Sequence, residues 1–295
     1  MRIDLKSLSI GAAVTAVLAA GAWMFMGAPA AGQSSGTPNA FPASFRAQRT
    51  VSGRPDLNGI WQAMTTANAD VLDHDAYAGP YPAMMGVYGA WPGGQGIVEG
   101  NEIPYQPWAA EKAKENAAQR MVVRVTGDDS QNDTGDPELK CYRPGIPRAN
   151  YMPFPFQIFQ TDEQVMIVYE FKNAVRTIHL TDAYPEGPAD SWMGWSNGTF
   201  DGESLVVDVK QFNPYTWFDR AGNFHSDGLH VVERFTPASP YHMQYEATIE
   251  DPKVFTRPWK VRFPLYRRME PNVQLVDFNC VPFVEDMMYG NLDSE

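Results

Sequence analysis

The C-terminal half of the chain is a succession of short β-rich runs with little sequence between them. Three runs, Phe156–Gln160, Gln164–Glu170 and Ala174–Leu180, are separated by gaps of hairpin length. Asp201-Gly202, which favours a tight two-residue turn, separates the next two runs. The later runs lie at 192–200, 203–210, 229–236, 241–250, 259–267 and 274–281.

The short gaps restrict how these runs can pair. Parallel strands need a crossover of a dozen or more residues, whereas antiparallel neighbours need only a turn. A long antiparallel meander avoids exposed sheet edges most easily when it closes on itself. The sequence therefore predicts a mainly β protein, with an antiparallel up-and-down barrel of about 8–9 strands over residues 151–283.

Residues 55–150 have a different texture and predict a loop-rich extension packed on the barrel. A first strand is expected over Pro55–Gln62, and Gly79–Gly100 is a long loop anchored by large aromatic residues, Trp91 among them. One short helix is expected over Pro107–Met121, because Pro suits the first helical turn and alanine dominates. Its predicted inner face consists of Ala110, Ala113, Ala117 and Met121. A tail follows at 284–295.

The N-terminus has the features of a secretory signal. Arg2 and Lys6 supply the positive charge, Ile10–Met26 the apolar stretch, and Ala28-Pro29-Ala30 a small-residue cleavage site. We predict a signal peptide over 1–30 that is cleaved near Ala30, then a flexible leader over 31–54. The alternative is an uncleaved membrane anchor. Cleavage predicts a periplasmic or secreted protein with no stable membrane span.

Charge and cysteine content narrow the choice of partners and compartment. The chain has 35 acidic and 23 basic residues, a formal net charge of −12. Nucleic-acid binders need clustered Lys and Arg, so no nucleic-acid partner is expected. Cys141 and Cys280 are the two cysteines, and an even count in an oxidising compartment predicts one disulfide, from the extension to the last predicted strand.

Four segments resemble a family of exported bacterial proteins that are usually recorded as hypothetical. They are Gly100–Trp108, Cys141–Arg148, Trp217–Phe235 and Glu250–Trp259, and the resemblance extends over about 56–283. It implies export and no particular activity. Separately, Gly59-Ile60-Trp61 resembles the Gly-x-Trp of lipocalins and other calycins, in which the Trp closes the barrel floor. That resemblance implies a calycin-like barrel.

The segment after Trp217 concentrates side chains that could carry acid–base chemistry. We predict catalytic roles for His225, His230 and Asp219, because a His can act as a general base and a carboxylate can fix its tautomer. On a regular strand His230 and Glu233 point to opposite faces. The alternative is a hydrogen-bond network that only orders the loop. A zinc site from the two histidines would need a third ligand, and no metal is predicted.

Arg176 is the fourth predicted catalytic residue. Either Arg176 or His179 must point into a closed barrel, and an inward Arg could clamp a carboxylate or oxyanion. The alternative is a structural salt bridge to Glu170 or Asp208. The predicted ligand-binding residues are Tyr151, Trp195, Trp217 and Arg220.

Two functions of different class follow from a barrel with such a cavity. The first is an enzyme that binds and transforms a hydrophobic or aromatic small molecule by His-based acid–base chemistry, as an isomerase, hydratase, lyase or hydrolase. The second is a non-catalytic binding or carrier protein of the cell envelope. A structural or partner-binding envelope protein is a third hypothesis, and it predicts no cavity. No dinucleotide or phosphate-binding fingerprint is present, so no cofactor is predicted. The sequence leaves the oligomeric state open.

Overall fold

The computed structural model describes residues 45–282, apart from positions 80, 86–88, 123–134 and 182–185, together with positions 284 and 288. The predicted signal, residues 31–44 of the predicted leader and nearly all of the predicted tail lie outside the described residues. The described end of the leader contacts the barrel, since Ala47 N donates to Glu203 Oε2 at 3.1 Å.

The described chain has eleven strands, one α-helix and three single-turn 3-10 helices. The strands are β1 Gly59–Ala63, β2 Tyr77–Ala78, β3 Ala90–Trp91, β4 Phe156–Gln160, β5 Gln164–Tyr169, β6 Val175–His179, β7 Trp195–Asp201, β8 Ser204–Lys210, β9 His230–Pro237, β10 His242–Glu250 and β11 Trp259–Arg267. The helix, α1, is Pro107–Ala118, and the 3-10 helices are Glu99–Asn101, Arg148–Asn150 and Phe171–Asn173.

Nine of these strands form a closed barrel, in the order β1-β11-β10-β9-β8-β7-β6-β5-β4. The predicted mainly β barrel with one short helix is confirmed. β1 closes the barrel, because it pairs with β11 on one side and with β4 on the other. The chain segment 64–155 therefore connects β1 to β4, which are neighbours in the barrel. This connection, which we call the excursion, contains most of the predicted extension.

One pair of barrel strands departs from the predicted antiparallel meander. β6 and β7 run parallel, with Ile178 opposite Ser196 and His179 opposite Asn197. The connection between them, residues 180–194, is long enough for the crossover that parallel strands require. Our prediction was wrong at this pair because it treated the connection as an ordinary loop.

The C-terminal segment is the second difference from prediction. Residues 274–281, expected as a last strand, form no strand. The segment is held instead by Phe278, whose ring lies 5.0 Å from Phe154 and 4.8 Å from Phe171. The predicted Cys141–Cys280 disulfide is confirmed, and it fastens this segment to the excursion.

Alternation along the strands directs apolar side chains into the barrel. On β9, Val231, Glu233 and Phe235 are fully buried, and the residues between them are half-buried on the outer face, as predicted from the strand period. Large inward side chains from every side, among them Phe156, Tyr169, Tyr245 and Phe263, fill the interior. Side chains therefore occupy the space in which we predicted a ligand cavity.

Helix α1 packs on the loop that precedes β9. It begins at Pro107 as predicted but ends at Ala118, and its buried face is Ala109, Ala113 and Asn116, whereas Ala117 is exposed. Asn116 Nδ2 donates to Gly222 O at 3.2 Å. Gly222 has φ +87° and lies so close that a Cβ there would be 2.6 Å from the Ala113 carbonyl oxygen. This close contact selected a different helix face from the one predicted.

Candidate functional site

An ion pair between Arg176 and Glu233 lies inside the barrel. Both side chains are fully buried. Arg176 Nη1 donates to Glu233 Oε1 at 3.1 Å, Nη2 pairs with Oε2, and Nε donates to Ser196 Oγ at 2.8 Å. Burial lowers the pKa of Arg176, but the charge of Glu233 outweighs it and the net shift is upward. Arg176 is therefore a permanent cation.

Three further buried side chains complete this arrangement. Asn150 Nδ2 and Tyr245 OH donate to Glu233 Oε1 at 3.0 and 2.8 Å, and Tyr169 OH donates to Asn150 Oδ1 at 2.9 Å. Arg176 thus points inward, but its guanidinium holds a carboxylate of its own chain, and the partner is neither Glu170 nor Asp208. We call these residues the interior network: Asn150, Tyr169, Arg176, Ser196, Glu233 and Tyr245.

His225 is buried in the loop between β8 and β9. Its Nδ1 lies 2.8 Å from Ser226 O, and its Nε2 lies 2.6 Å from Thr216 Oγ1. Because a carbonyl oxygen only accepts, Nδ1 carries the proton and Nε2 accepts from the Thr216 hydroxyl. Burial lowers the pKa of His225. The imidazole is therefore neutral, and both of its nitrogens are used within the loop.

His230 lies on the outer face of the barrel, on the opposite side of β9 from Glu233. Its Nε2 lies 3.1 Å from Asp208 Oδ2, and its Nδ1 lies 3.4 Å from Glu250 Oε2. The structure therefore gives the two predicted catalytic histidines separate partners. His225 belongs to the loop core, and His230 belongs to a polar patch on the barrel surface.

Asp219 is fully buried in the same loop as His225. Its Oδ2 accepts from Val71 N at 3.0 Å and from Asn223 Nδ2 at 2.6 Å, and its Oδ1 accepts from Asn223 N at 3.2 Å. Burial, followed by the charge of Asp70, raises the pKa of Asp219 to about 7. The carboxyl group therefore titrates in the range that suits a general acid or base.

Arg220, a predicted ligand-binding residue, is bound to Glu138. Its Nε and Nη2 donate to Glu138 Oε2 and Oε1 at 2.8 and 2.6 Å, and Arg148 Nη2 donates to Oε2 at 2.8 Å. Burial raises the pKa of Glu138, but the charges of Arg220 and Arg148 outweigh it and hold that pKa well below its usual range. Glu138 is an anchor of the loops that our sequence analysis missed.

The remaining predicted ligand-binding residues lie in two places. Tyr151 is buried and its OH donates to Phe218 O at 2.7 Å, while Trp217 pairs through its backbone with Phe224. Both therefore belong to the loop around Phe218, whose ring packs 5.3 Å from Trp259 at the start of β11. Trp195 begins β7 on the barrel wall, and its ring stacks on His179 at 4.6 Å.

The segment between β1 and α1 contains buried polar atoms without partners. In the described part of the chain, Thr66 Oγ1, His74 Nε2 and Trp91 Nε1 are inaccessible and form no hydrogen bond. They share neighbours: the His74 backbone exchanges two hydrogen bonds with Gly94, and Thr66 Oγ1 occupies the place of a Cβ at Gly94. The Tyr77 ring lies 5.0 Å from Trp91 and 6.2 Å from His74. We call these five residues the Gly94 cluster.

Two guanidinium groups lie against the Trp91 ring. Arg120 Cζ is 4.8 Å and Arg220 Cζ is 5.3 Å from its centroid, close enough for cation–π interactions. Arg120 Nε donates to Asp136 Oδ2 at 3.1 Å. Trp91 thus joins the Gly94 cluster to the ion pairs of the loops. Two other unpartnered atoms, Trp259 Nε1 and Arg267 Nε, are on β11 and outside this cluster.

Sequence reasoning missed the Gly94 cluster, and the reason is physical. Trp91 was identified as an aromatic anchor of a long loop, but Thr66 and His74 carry no motif. They reach the cluster because His74 pairs with Gly94 across the β2–β3 hairpin, in the register that places Tyr77 opposite Trp91. The run Gly93-Gly94 beside Trp91 was the one available signal, since glycine allows such close approach.

Among the described residues, no group of three or more His, Cys, Asp or Glu side chains could hold a metal ion. The same residues include no helix with the length and apolar character needed to cross a membrane. No family model, no curated protein and no solved structure matches the chain. Both resemblances described above therefore stay predictions.

Proposed function

We propose that this protein binds a small molecule in the loops that cover the barrel, at the Gly94 cluster. One observation carries the proposal: among the described residues, the buried atoms Thr66 Oγ1, His74 Nε2 and Trp91 Nε1 have no hydrogen-bond partner, and the rings of Tyr77 and Trp91 lie 5.0 Å apart. Buried polar groups in folded proteins are almost always hydrogen-bonded, so such a group points to a partner that the chain itself does not supply. A bound ligand supplies one.

The barrel interior offers less support for a ligand site. The interior network pairs its own charges, and apolar side chains fill the space around it. We therefore move the proposed site from the barrel cavity to the loops. The Cys141–Cys280 disulfide supports an exported binding protein, because disulfides persist in oxidising compartments.

A calorimetric titration of the full chain with a library of small neutral, anionic and cationic ring compounds tests the proposal. We expect at least one compound to bind, and the Thr66→Val, Trp91→Phe double variant to bind it about tenfold or more weakly. The Tyr241→Phe variant, at an exposed tyrosine, is the control and should bind as the native chain does. Equal affinities for all three proteins would refute this location.

Catalytic turnover is the second candidate function, and Asp219 favours it. Its carboxyl group has a pKa of about 7. Asn223, which donates to Asp219, accepts a hydrogen bond from Tyr105 OH at its Oδ1, at 2.9 Å. Asp219 also accepts from Val71 N, in the segment that leads to His74. An enzyme using this group should lose rate by about 100-fold in Asp219→Asn while still binding its substrate. A binding protein would show no turnover in either form.

A further inference from the structure

We infer that residues 274–281 form a strap that a dithiol reductant releases from the molecule while the barrel stays folded. The inference concerns regulation and goes beyond ligand binding at the Gly94 cluster. It follows from three features of the described chain: the strap adds nothing to the barrel sheet, none of its residues is buried, and the Cys141–Cys280 disulfide ties its end to the excursion.

The barrel closes before the strap begins. β11 ends at Arg267 and pairs with β10 and with β1, so the ring of nine strands needs no later residue. All eight residues of the strap are described; they form no strand, and each of them is exposed or half-buried. Little burial and the lack of sheet pairing are typical of segments that open locally at low free-energy cost. The strap can therefore leave without disturbing the sheet.

Two hydrogen bonds join the strap to the turn between β5 and β6. Val276 N donates to Glu170 Oε2 at 3.0 Å, and Asn173 Nδ2 donates to Phe278 O at 3.1 Å. When the strap leaves, these groups exchange their bonds for bonds to water, so the net contribution of each bond to docking is small. The ring of Phe278 and the disulfide therefore provide most of the attachment.

The Phe278 ring covers two rings that belong to the rest of the chain. It lies 5.0 Å from Phe154 and 4.8 Å from Phe171, and the rings of Phe154 and Phe171 lie 5.5 Å from each other. With the strap in place, Phe171 is buried and Phe154 is half-buried. Release of the strap therefore uncovers a continuous aromatic surface. Exposed apolar patches change what a protein associates with, so the strap controls access to this surface.

The disulfide joins a fixed residue to a movable one. Cys141 is buried, and its backbone N donates to Glu138 O at 3.0 Å within the excursion. Arg148 and Arg220 hold the Glu138 carboxylate, so this end stays in place when the disulfide breaks. Cys280 is half-buried on the strap, which makes it the end that a reductant can approach. Reduction therefore frees the strap and leaves the excursion anchored.

The redox step is an ordinary thiol–disulfide exchange. One thiolate of the dithiol attacks the Cys280 sulfur, which forms a mixed disulfide and expels Cys141 as a thiolate. The second thiolate of the dithiol attacks its own sulfur in the mixed disulfide, which expels Cys280 as a thiolate. The two cysteine thiolates take up the two protons that the dithiol gave up. Two electrons thus pass from the dithiol, which becomes a disulfide, to the Cys141–Cys280 bond.

Limited proteolysis of the full chain tests the inference. Chymotrypsin cleaves after aromatic residues, and in the oxidised protein the ring of Phe278 is docked, so cleavage after Phe278 should be slow. With reduced dithiothreitol as the dithiol, we expect this cleavage to become about tenfold or more faster, because its rate follows the population of undocked strap. Oxidised dithiothreitol, which cannot donate electrons, is the control and should leave the rate unchanged. The far-UV circular dichroism of the barrel should be the same in all samples.

Two variants separate the disulfide from other effects of the reductant. Cys280→Ser should be cleaved after Phe278 at the fast rate without any reductant, and dithiothreitol should not change that rate. Gln274→Ser is the matched control, because Gln274 is an exposed strap residue and the variant keeps both cysteines. It should respond to dithiothreitol as the native chain does.

Three outcomes would overturn the inference. If thiol labelling shows that the disulfide is reduced and cleavage after Phe278 stays slow, the non-covalent contacts hold the strap by themselves. If reduction abolishes the far-UV signal, the disulfide holds the barrel and no local release occurs. If dithiothreitol leaves the disulfide of the folded chain intact, Cys280 is not the accessible end that its half-buried position indicates.

Discussion

The interior network and the Gly94 cluster both bury polar side chains, but they satisfy them differently. Inside the barrel Glu233 accepts from Arg176, Asn150 and Tyr245, and Asn150 in turn accepts from Tyr169. In the Gly94 cluster, a hydroxyl, an imidazole nitrogen and an indole nitrogen find no partner in the described chain. The difference separates a network whose polar groups pair with one another from a cluster that has three unpartnered polar atoms among the described residues, and the proposed binding site rests on that difference.

The physical reason lies in the cost of an unmade hydrogen bond. A buried polar group with a hydrogen-bond partner adds about 1 kcal/mol to the free energy of unfolding, whereas one without a partner lowers it by about 1–3 kcal/mol. The fold tolerates that cost in loops because the barrel, its disulfide and the Glu138 ion pairs supply stability elsewhere.

The largest expected effect concerns the buried ion pair. Glu233→Gln leaves the Arg176 charge buried and uncompensated, so we expect a loss of about 3–5 kcal/mol in the free energy of unfolding. Urea denaturation measures it. The control is Glu246→Gln, which breaks the cross-strand pair with Arg262 on the outer barrel face, at 3.3 Å. That pair is partly exposed, so breaking it should lower the free energy of unfolding by less than about 1 kcal/mol. Similar losses for the two variants would contradict the assignment.

The next effect is a pH dependence set by Asp219. Its pKa rises from 3.8 to about 7 on folding, so between these values the folded chain holds a proton that the unfolded chain has released. The free energy of unfolding should therefore fall as pH rises through that window, by about 4 kcal/mol from this group. Unfolding free energies measured across the window should show a flatter profile in Asp219→Asn. Parallel profiles would disprove the role of this carboxyl.

Glu138, in the same loops, gives the free energy of unfolding the opposite pH dependence. Its pKa is lowered on folding, so its contribution is present above the unfolded value of 4.5 and is lost as the pH falls below it. The two carboxyl groups therefore act in different pH ranges. Acid titration below pH 4 of the native chain and of Glu138→Gln separates the contribution of Glu138 from that of Asp219.

A smaller effect is expected from removing a satisfied hydroxyl. Tyr169→Phe deletes the donor to Asn150 Oδ1 inside the barrel and leaves that oxygen buried without it. We expect a loss of about 1–3 kcal/mol in the free energy of unfolding. Urea denaturation is again the measurement, and an unchanged midpoint would mean that water replaces the phenol.

The smallest effect is expected from the matched deletion in the Gly94 cluster. Thr66→Val removes a hydroxyl that has no partner and keeps the shape of the side chain. The unfolding free energy without ligand should rise by about 1 kcal/mol, because the variant removes a buried group that is unpaired in the described chain. A loss as large as that of Tyr169→Phe would show that the hydroxyl is already satisfied, and the contrast between the two regions would disappear.

Sequence reasoning succeeded where local rules apply. A tight turn joins β7 to β8 as predicted, although its two loop residues are Gly202 and Glu203 rather than Asp201 and Gly202. β9 directs His230 outward and Glu233 inward as the strand period predicts. It failed where distant segments meet. The parallel β6–β7 pair depends on a crossover, and the buried face of α1 depends on Gly222, more than a hundred residues away.

The predicted site shows the same division. Arg176 and Asp219 are buried and Arg220 is half-buried, and their partners are Glu233, Asn223 and Glu138. Arg176 and Glu233 are separated by 57 positions, and Arg220 and Glu138 by 82. Spacing along a chain predicts which residues share a strand face, and it carries no signal for pairings over such distances.

The amino-acid sequence alone determined most of the barrel strands and the closure of the barrel, because side-chain period and turn chemistry act over a few residues. It also determined the disulfide, because the chain has two cysteines. The tertiary structure decided that the barrel is filled, that its inward arginine is neutralised, and that Thr66, His74 and Trp91 have polar atoms without partners in the described part of the chain. Those features arise from packing between segments that are far apart in sequence, where burial and hydrogen-bond pairing are settled only once the chain has folded.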